Sequence, residues 1–287
     1  MSHCLAVIGG SGLYDIDGVA DVEEIAVDTP YGPPSDAIRR ASIEGCDTKL
    51  LFLPRHGRGH RVPPHDINYR ANICALKTLG ATHVLSVSAT GSMKEAIEPG
   101  DLVVVDQFID LTKRRRSTYF DDGVAAHVAF AQPVCPHLAS ALHGAADRAL
   151  GEDGPGLHRG GTYVCIEGPQ FSTRAESLVY RSWGVDLVGM TNMPEAKLAR
   201  EAELPYATLG LATDYDCWHA SEEAVDVAAV VARVKTMVGH AQAIILELAQ
   251  TLPDPSESPA STALKGAVMT AELSAEKQSE LAWLLGE

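Results

Sequence analysis

The chain has 287 residues, 46% of them hydrophobic, and a formal charge of -15 from 38 acidic against 23 basic side chains: enough apolar material for a substantial core, in a field that repels nucleic acid and anionic membranes. The length fits one large α/β domain or two smaller ones, and one domain is the simpler reading. The opening "MSHCLAVIGGSG" lacks the basic end and the length of a signal peptide, and no later run is long and apolar enough to cross a bilayer, so the sequence predicts a soluble cytoplasmic protein.

Residues 3–8 predict a buried strand, and the glycines of "GGSG" require a sharp turn after it. "KLLFLP" at 49–54 is a second strand. Across 65–80, Ile67, Ala71, Cys74, Ala75 and Leu79 recur at helical spacing, and Gly80 ends that helix. "THVLSVSATGS" reads as a strand with a small-residue exit, and "DLVVVDQFIDL" as another. Helices follow at 136–150, 173–182, 193–203 and 223–250, and strands at 162–166, 185–189 and 205–212. This alternation, with Val, Ile and Leu runs apolar on both faces, predicts a central sheet covered by helices, with room for extra antiparallel strands. Residues 1–251 form the main unit in this reading. The Pro- and Ser-rich stretch 252–266 reads as a linker or exposed loop, followed by a C-terminal helical extension to 287 whose Leu273, Leu281, Trp283, Leu284 and Leu285 dock on the body or a neighbouring chain. The six cysteines are scattered without a C-x-x-C pair, which predicts reduced, mostly buried thiols.

Gly10 and Gly12 have the first spacing of a dinucleotide loop, but Asp15 stands where the third glycine belongs, which argues against that site. The same glycines let backbone N–H groups converge, and Ser11 adds a hydroxyl, so a small-anion site and a ligand-free turn fit equally. "LPRHGRGHRVPPH" packs Arg55, His56, Arg58, His60, Arg61 and His65 together, without the H-E-x-x-H arrangement that grips zinc. Arg55 and His56, directly after a strand, are the better anion candidates. In "SVSATGS", Ser88 and Thr90 are candidate donors and Ala89 leaves room for a flat ligand. Phe171 and Met190 are either core residues or a stacking wall and a sugar floor, with Ser172 and Thr191 beside them. "TKRRRST" reads as a solvated loop or a subunit contact. Asp214 and Asp216, closing "LGLATDYD", suit a solvated turn, a proton handler or a recognition group.

Taken together, "VIGGSGLYD", "DTPYGPPSDA", "LPRHGRGH", "NYRANICALKTLG", "SATGSMKEAIEPGDLVVVDQFID", "IEGPQFSTRAES", "GMTNMPEA" and "LATDYDCW" occur in the order seen in the trimeric purine nucleoside phosphorylase family, and the chain closely resembles its 5'-methylthioadenosine branch over about residues 4–250. The resemblance implies a single α/β domain with a mixed, partly barrel-like central sheet flanked by helices, assembled as a homotrimer. It implies phosphate-dependent cleavage of 5'-methylthioadenosine to adenine and 5-methylthioribose 1-phosphate, with phosphate as co-substrate and no cofactor or metal. By the same resemblance Ser11, Arg55, His56, Ser88, Ala89 and Thr191 make the phosphate site, with Ser11 and Ser88 standing where animal relatives carry threonine; both keep a hydroxyl donor. Phe171, Ser172, Met190, Asp214 and Asp216 hold the nucleoside, and Asp214 assists departure of the base. Val227, Val230 and Val231 line the 5'-methylthio pocket, with His127 contributed by a neighbouring subunit. An acceptor carboxylate at Asp214 favours a 6-aminopurine over a 6-oxopurine. The alternatives are phosphorolysis of 5'-methylthioinosine or of unmodified purine nucleosides, nucleoside hydrolysis, and a noncatalytic purine or phosphosugar sensor.

Overall fold

A computed structural model describes residues 3–10, 12–13, 15–219 and 227–286, with the side chains of Val227 and Ala229 outside that description. Ser11 is likewise outside the described residues. The strands are β1 (Cys4–Gly9), β2 (Val19–Ile25), β3 (Ile38–Ile43), β4 (Cys46–Pro54), β5 (His83–Ser92), β6 (Leu102–Val105), β7 (Gln107–Asp110), β8 (Leu157–Arg159), β9 (Thr162–Cys165), β10 (Leu187–Gly189) and β11 (Tyr206–Asp214). The helices are α1 (Tyr69–Thr78), α2 (Pro136–Leu150), α3 (Arg174–Ser182), α4 (Asn192–Glu201), α5 (Val227–Gln250) and α6 (Ala275–Leu285).

The central strands are apolar in unbroken runs because both faces are covered. In β1, Leu5 and Val7 join a core shared with α2 and α5, while Ala6 and Ile8 join one shared with α1 and α4. In β4, Leu50 and Phe52 face the first of these cores and Leu51 and Leu53 the second. The two-residue period of a strand thus divides one apolar run between two layers.

The strands run β2-β3-β4-β1-β5-β10-β9-β7, with β11 on β5 and β6, and β8 on β6. β5 is the pivot. One of its edges follows β11 in parallel along residues 84–91, whereas the other pairs with β1 only through Ser86 and with antiparallel β10 only from Gly91. Between those partners, at Ser88, Ala89 and Thr90, the second edge is open. A crevice at such a break, near the carboxyl ends of β1, β4 and β5, is where open α/β sheets place ligands. Ala89 is the one exposed residue in an otherwise buried strand.

The predicted elements hold with local changes, and residues 223–226 of the helix predicted at 223–250 lie outside the described residues. "DLVVVDQFIDL" is two strands parted at Asp106, whose carboxylate accepts the Gly161 N–H, so β6 follows β11 while β7 follows β9. β2, β3 and β8 lie outside the predicted elements. β2 is a sheet-edge strand with its middle five residues exposed, and its "VADVEEI" carries no clear alternation to read. Much of the segment after 251 packs down: Ser258 and Ala260 are buried, and Leu281 is fully buried in the α1/α4 core, with the Trp283 ring 4.9 Å from Tyr119. All six cysteines are free thiols. Among the described residues no helix is long and apolar enough to cross a membrane.

Candidate active site

The register of β10 against β5 explains the first convergence. Because the pair is antiparallel, the chain leaving β10 runs back alongside the open edge, and Thr191 meets Ser88 with their hydroxyls 3.0 Å apart. Both residues are 5% exposed, so this hydroxyl pair sits at the floor of the crevice beside exposed Ala89. Thr90 departs from expectation: its hydroxyl donates to the Leu211 carbonyl at 3.1 Å across to β11, where it pins the strands.

The register of β11 makes the second convergence by setting Asp214 beside Gly91. A Cβ on Gly91 would stand 3.0 Å from Asp214 Oδ1 and 3.3 Å from Asp216 Cβ, so glycine there leaves space for the acidic pair. Asp214 accepts from the Thr213 hydroxyl at 2.6 Å and from the Asp216 N–H at 2.8 Å. Both contacts fix the carboxylate as an acceptor at the strand end. Asp216 sits at φ 52°, in the left-handed region, and burial lifts its carboxyl above the usual range. The Cys217 thiol donates to the Ser172 carbonyl at 3.3 Å, which ties the Phe171–Ser172 loop to this pair. Phe171 is 48% exposed, whereas the Ser172 hydroxyl is buried without a partner among the described residues. Met190 packs against Gly168 so closely that a Cβ there would come 2.6 Å from its sulfur.

Arg55 does not offer a free charge to the crevice. Its side chain is 2% exposed and pairs with Glu195 twice, Nε–Oε2 at 2.8 Å and Nη2–Oε1 at 3.1 Å. Its remaining contacts are the Val87 and Ile8 carbonyls at 3.1 Å and the Ser86 hydroxyl at 2.6 Å. One Nη1 proton is left over; the charge itself is answered by Glu195. Arg55 therefore braces β1, β4 and β5 beneath the crevice.

His56 also differs from a simple donor. Its Nδ1 lies 2.9 Å from the Val62 carbonyl, which can only accept, so Nδ1 carries the proton and a neutral ring presents Nε2 as an acceptor. Burial, then the Arg55 charge, lowers its pKa to about 4. Burial likewise lowers His83 to about 4. Both rings stay neutral in the fold while the unfolded chain takes up protons below about pH 6.5, so their share of stability is intact above that value and lost as pH falls towards 4. His83→Gln is expected to remove one such proton, reducing the pH dependence of unfolding free energy between pH 6 and 5 by about 1 kcal/mol per pH unit. Urea titrations at those pH values check it, and an unchanged slope contradicts it.

Val230 is half-buried and Val231 is 49% exposed in the first turns of α5, where Arg233 donates to the Thr213 carbonyl beside Asp214. The side chain of Val227 lies outside the described residues. His127 is exposed, and its N–H donates to the Ala267 carbonyl at 2.9 Å. Sequence reasoning missed Glu195, although "GMTNMPEA" contains it, and misread Arg115, whose side chain is 1% exposed. Among the described residues no three His, Cys, Asp or Glu side chains are grouped as a metal ion requires.

Residues 5–250 match the Phosphorylase superfamily. The S-methyl-5'-thioadenosine phosphorylase of Geobacter sulfurreducens is 50% identical over 289 residues, covering 100% of this chain and 99% of its own. The crystal structure of a methylthioadenosine phosphorylase from an Antarctic soil metagenomic library superimposes with a TM-score of 0.91 at 47% identity, covering 99% of this chain and 100% of that one. A mutant adenosine/methylthioadenosine phosphorylase from Schistosoma mansoni, solved with adenine, gives 0.85 at 35% identity, covering 93% and 99%.

Proposed function

The chain belongs to the phosphorylase superfamily, among its S-methyl-5'-thioadenosine phosphorylases, and from that premise we propose that the crevice along β5 cleaves 5'-methylthioadenosine with phosphate to adenine and 5-methylthioribose 1-phosphate. One observation carries the assignment of parts: the Ser88–Thr191 hydroxyl pair and the Asp214–Asp216 carboxyl pair meet the same few residues of one strand, on either side of exposed Ala89.

Phosphate lies against Ser88, Ala89 and Thr191 with Arg55 and His56 behind, and the Ser11 hydroxyl is a further donor to it. His56 Nε2 accepts from a protonated phosphate oxygen. A phosphate oxygen bonds to the sugar C1' as the bond to purine N9 breaks, and that bond's electron pair moves into the purine. A proton from the carboxyl pair, through Asp214, neutralises N7, while the exocyclic amino group donates to a carboxylate oxygen. Asp216 supports the pair as its proton reserve. Phe171 stacks on the base, Ser172 meets its edge, and Met190 lies beneath the ribose.

Val227, Val230 and Val231 take the methylthio group, and an unmodified 5'-hydroxyl there loses water without a matching partner. A homotrimer completes the site with His127 of a neighbouring subunit. Leu178, Val179 and Trp183, 49%, 46% and 51% exposed in α3 and at its end, support a face that another subunit covers. Residues 1–251 are the catalytic unit, 252–287 an extension packed against it, and the enzyme works in the cytoplasm.

Phosphorus NMR of the products tests the reaction. A new anomeric phosphate ester, formed one for one with adenine, is expected; free methylthioribose with phosphate unconsumed means hydrolysis. Thr191→Val removes a hydroxyl donor to an anion, so its KM for phosphate is expected to rise roughly 10- to 100-fold with a much smaller change in nucleoside KM. Initial rates with each substrate varied check it, and an unchanged phosphate KM takes Thr191 out of that site.

A further inference from the structure

Arg115 lies in a run whose other cations, Lys113, Arg114 and Arg116, are exposed, yet its own side chain is 1% exposed and aimed inwards. Its guanidinium joins two loops and a helix. Nη1, with two protons, lies 2.6 Å from each of the Met190 and Met193 carbonyls and 3.0 Å from the Tyr69 hydroxyl of α1. Nη2 donates to the Glu167 carbonyl at 2.7 Å, and Nε to Glu167 Oε1 at 3.0 Å. The other Glu167 oxygen accepts the Lys113 N–H and, at 3.1 Å, that of Arg114, so the arginine's own segment is tied to the same carboxylate.

These partners are next to the groups that do the chemistry. Met190 precedes Thr191 of the hydroxyl pair, and Glu167 precedes Gly168, which abuts the Met190 sulfur, on the loop that leads to Phe171. A planar fork with five donors can hold carbonyls from both loops at once, whereas an ammonium on a flexible stem cannot reproduce that span.

On the proposed phosphorolysis, we infer that Arg115 is a positioning residue: it sets the base-stacking loop, 166–172, against the sugar and phosphate loop, 190–193, and so aligns C1' with the incoming phosphate oxygen. It touches neither substrate. Its loss disturbs relative placement more than affinity at either subsite, and misplacement of reacting groups falls mainly on kcat.

The full-length parent, Arg115→Met and Arg115→Lys are compared by phosphate-dependent adenine release with both substrates varied, by thermal unfolding, and by hydrogen exchange of the two loops. In folded Arg115→Met, kcat is expected to fall about 100-fold while both KM values move by less, and both loops exchange faster. Arg115→Lys, which keeps a charge for Glu167 but not the fork, recovers part of the rate. A folded Arg115→Met with kcat within about threefold of the parent overturns the inference, as does a loss that disappears when the variant is assayed below its unfolding transition. If Arg115→Met does not fold, Arg115→Lys decides by the same two criteria, a parental kcat with unchanged exchange overturning the role. A parent without phosphate-dependent adenine release strikes the phosphorolysis reading instead; loop exchange then decides for Arg115 alone, unchanged exchange in the folded variants rejecting it and joint loosening retaining it.

Discussion

Asp214→Asn is expected to lower kcat/KM for 5'-methylthioadenosine roughly 100-fold or more, the range for loss of a positioned acid–base group, and to narrow the preference over 5'-methylthioinosine by at least about tenfold. The substitution keeps shape and volume beside Gly91, where a Cβ would already come within 3.0 Å of Asp214 Oδ1, so the fold is not the variable being changed. An amide cannot hand a proton to N7. It can, however, donate to the 6-oxo group that repels a carboxylate, so the hypoxanthine substrate gains a contact that it lacked. Steady-state kinetics on both nucleosides at saturating phosphate reads both effects. An unchanged base preference would remove Asp214 from the base edge.

Glu195→Ala is expected to cost about 3–5 kcal/mol of stability, the range for stripping one partner from a buried ion pair. Glu195 is fully buried, and its carboxylate both answers Arg55 and accepts the Tyr206 hydroxyl at 3.0 Å. Removing it strands a guanidinium at 2% exposure and deprives that phenol of an acceptor. Replacing the pair together, Arg55→Met with Glu195→Leu, is expected to recover part of the stability, because neither charge then remains buried alone. Urea unfolding of the single and double variants makes the comparison. A loss below about 1 kcal/mol in Glu195→Ala would contradict the bracing role of this pair.

The strands that hold the crevice were legible because their apolar runs are continuous and bounded by turn residues. α2 matches its predicted span, from Pro136 at its first turn to Gly151 just beyond its end. β2 was not legible, since an exposed edge leaves its side chains no clear face to alternate about. The candidate site residues were visible through ordered motifs, but their states were not. That His56 spends its donor on Val62, that Thr90 turns to Leu211, and that Arg55 is balanced by a glutamate 140 positions away are products of packing across the sheet. Arg115 shows the same limit: within "TKRRRST" nothing local separates the one inward arginine from its solvated neighbours.

The most direct measurement is free-base release by the purified protein from 5'-methylthioadenosine and 5'-methylthioinosine, each with and without phosphate. Rapid adenine release that requires phosphate, with little hypoxanthine under the same conditions, is the predicted result. Adenine release that persists without phosphate, or hypoxanthine released in preference to adenine, would contradict the account of the crevice along β5.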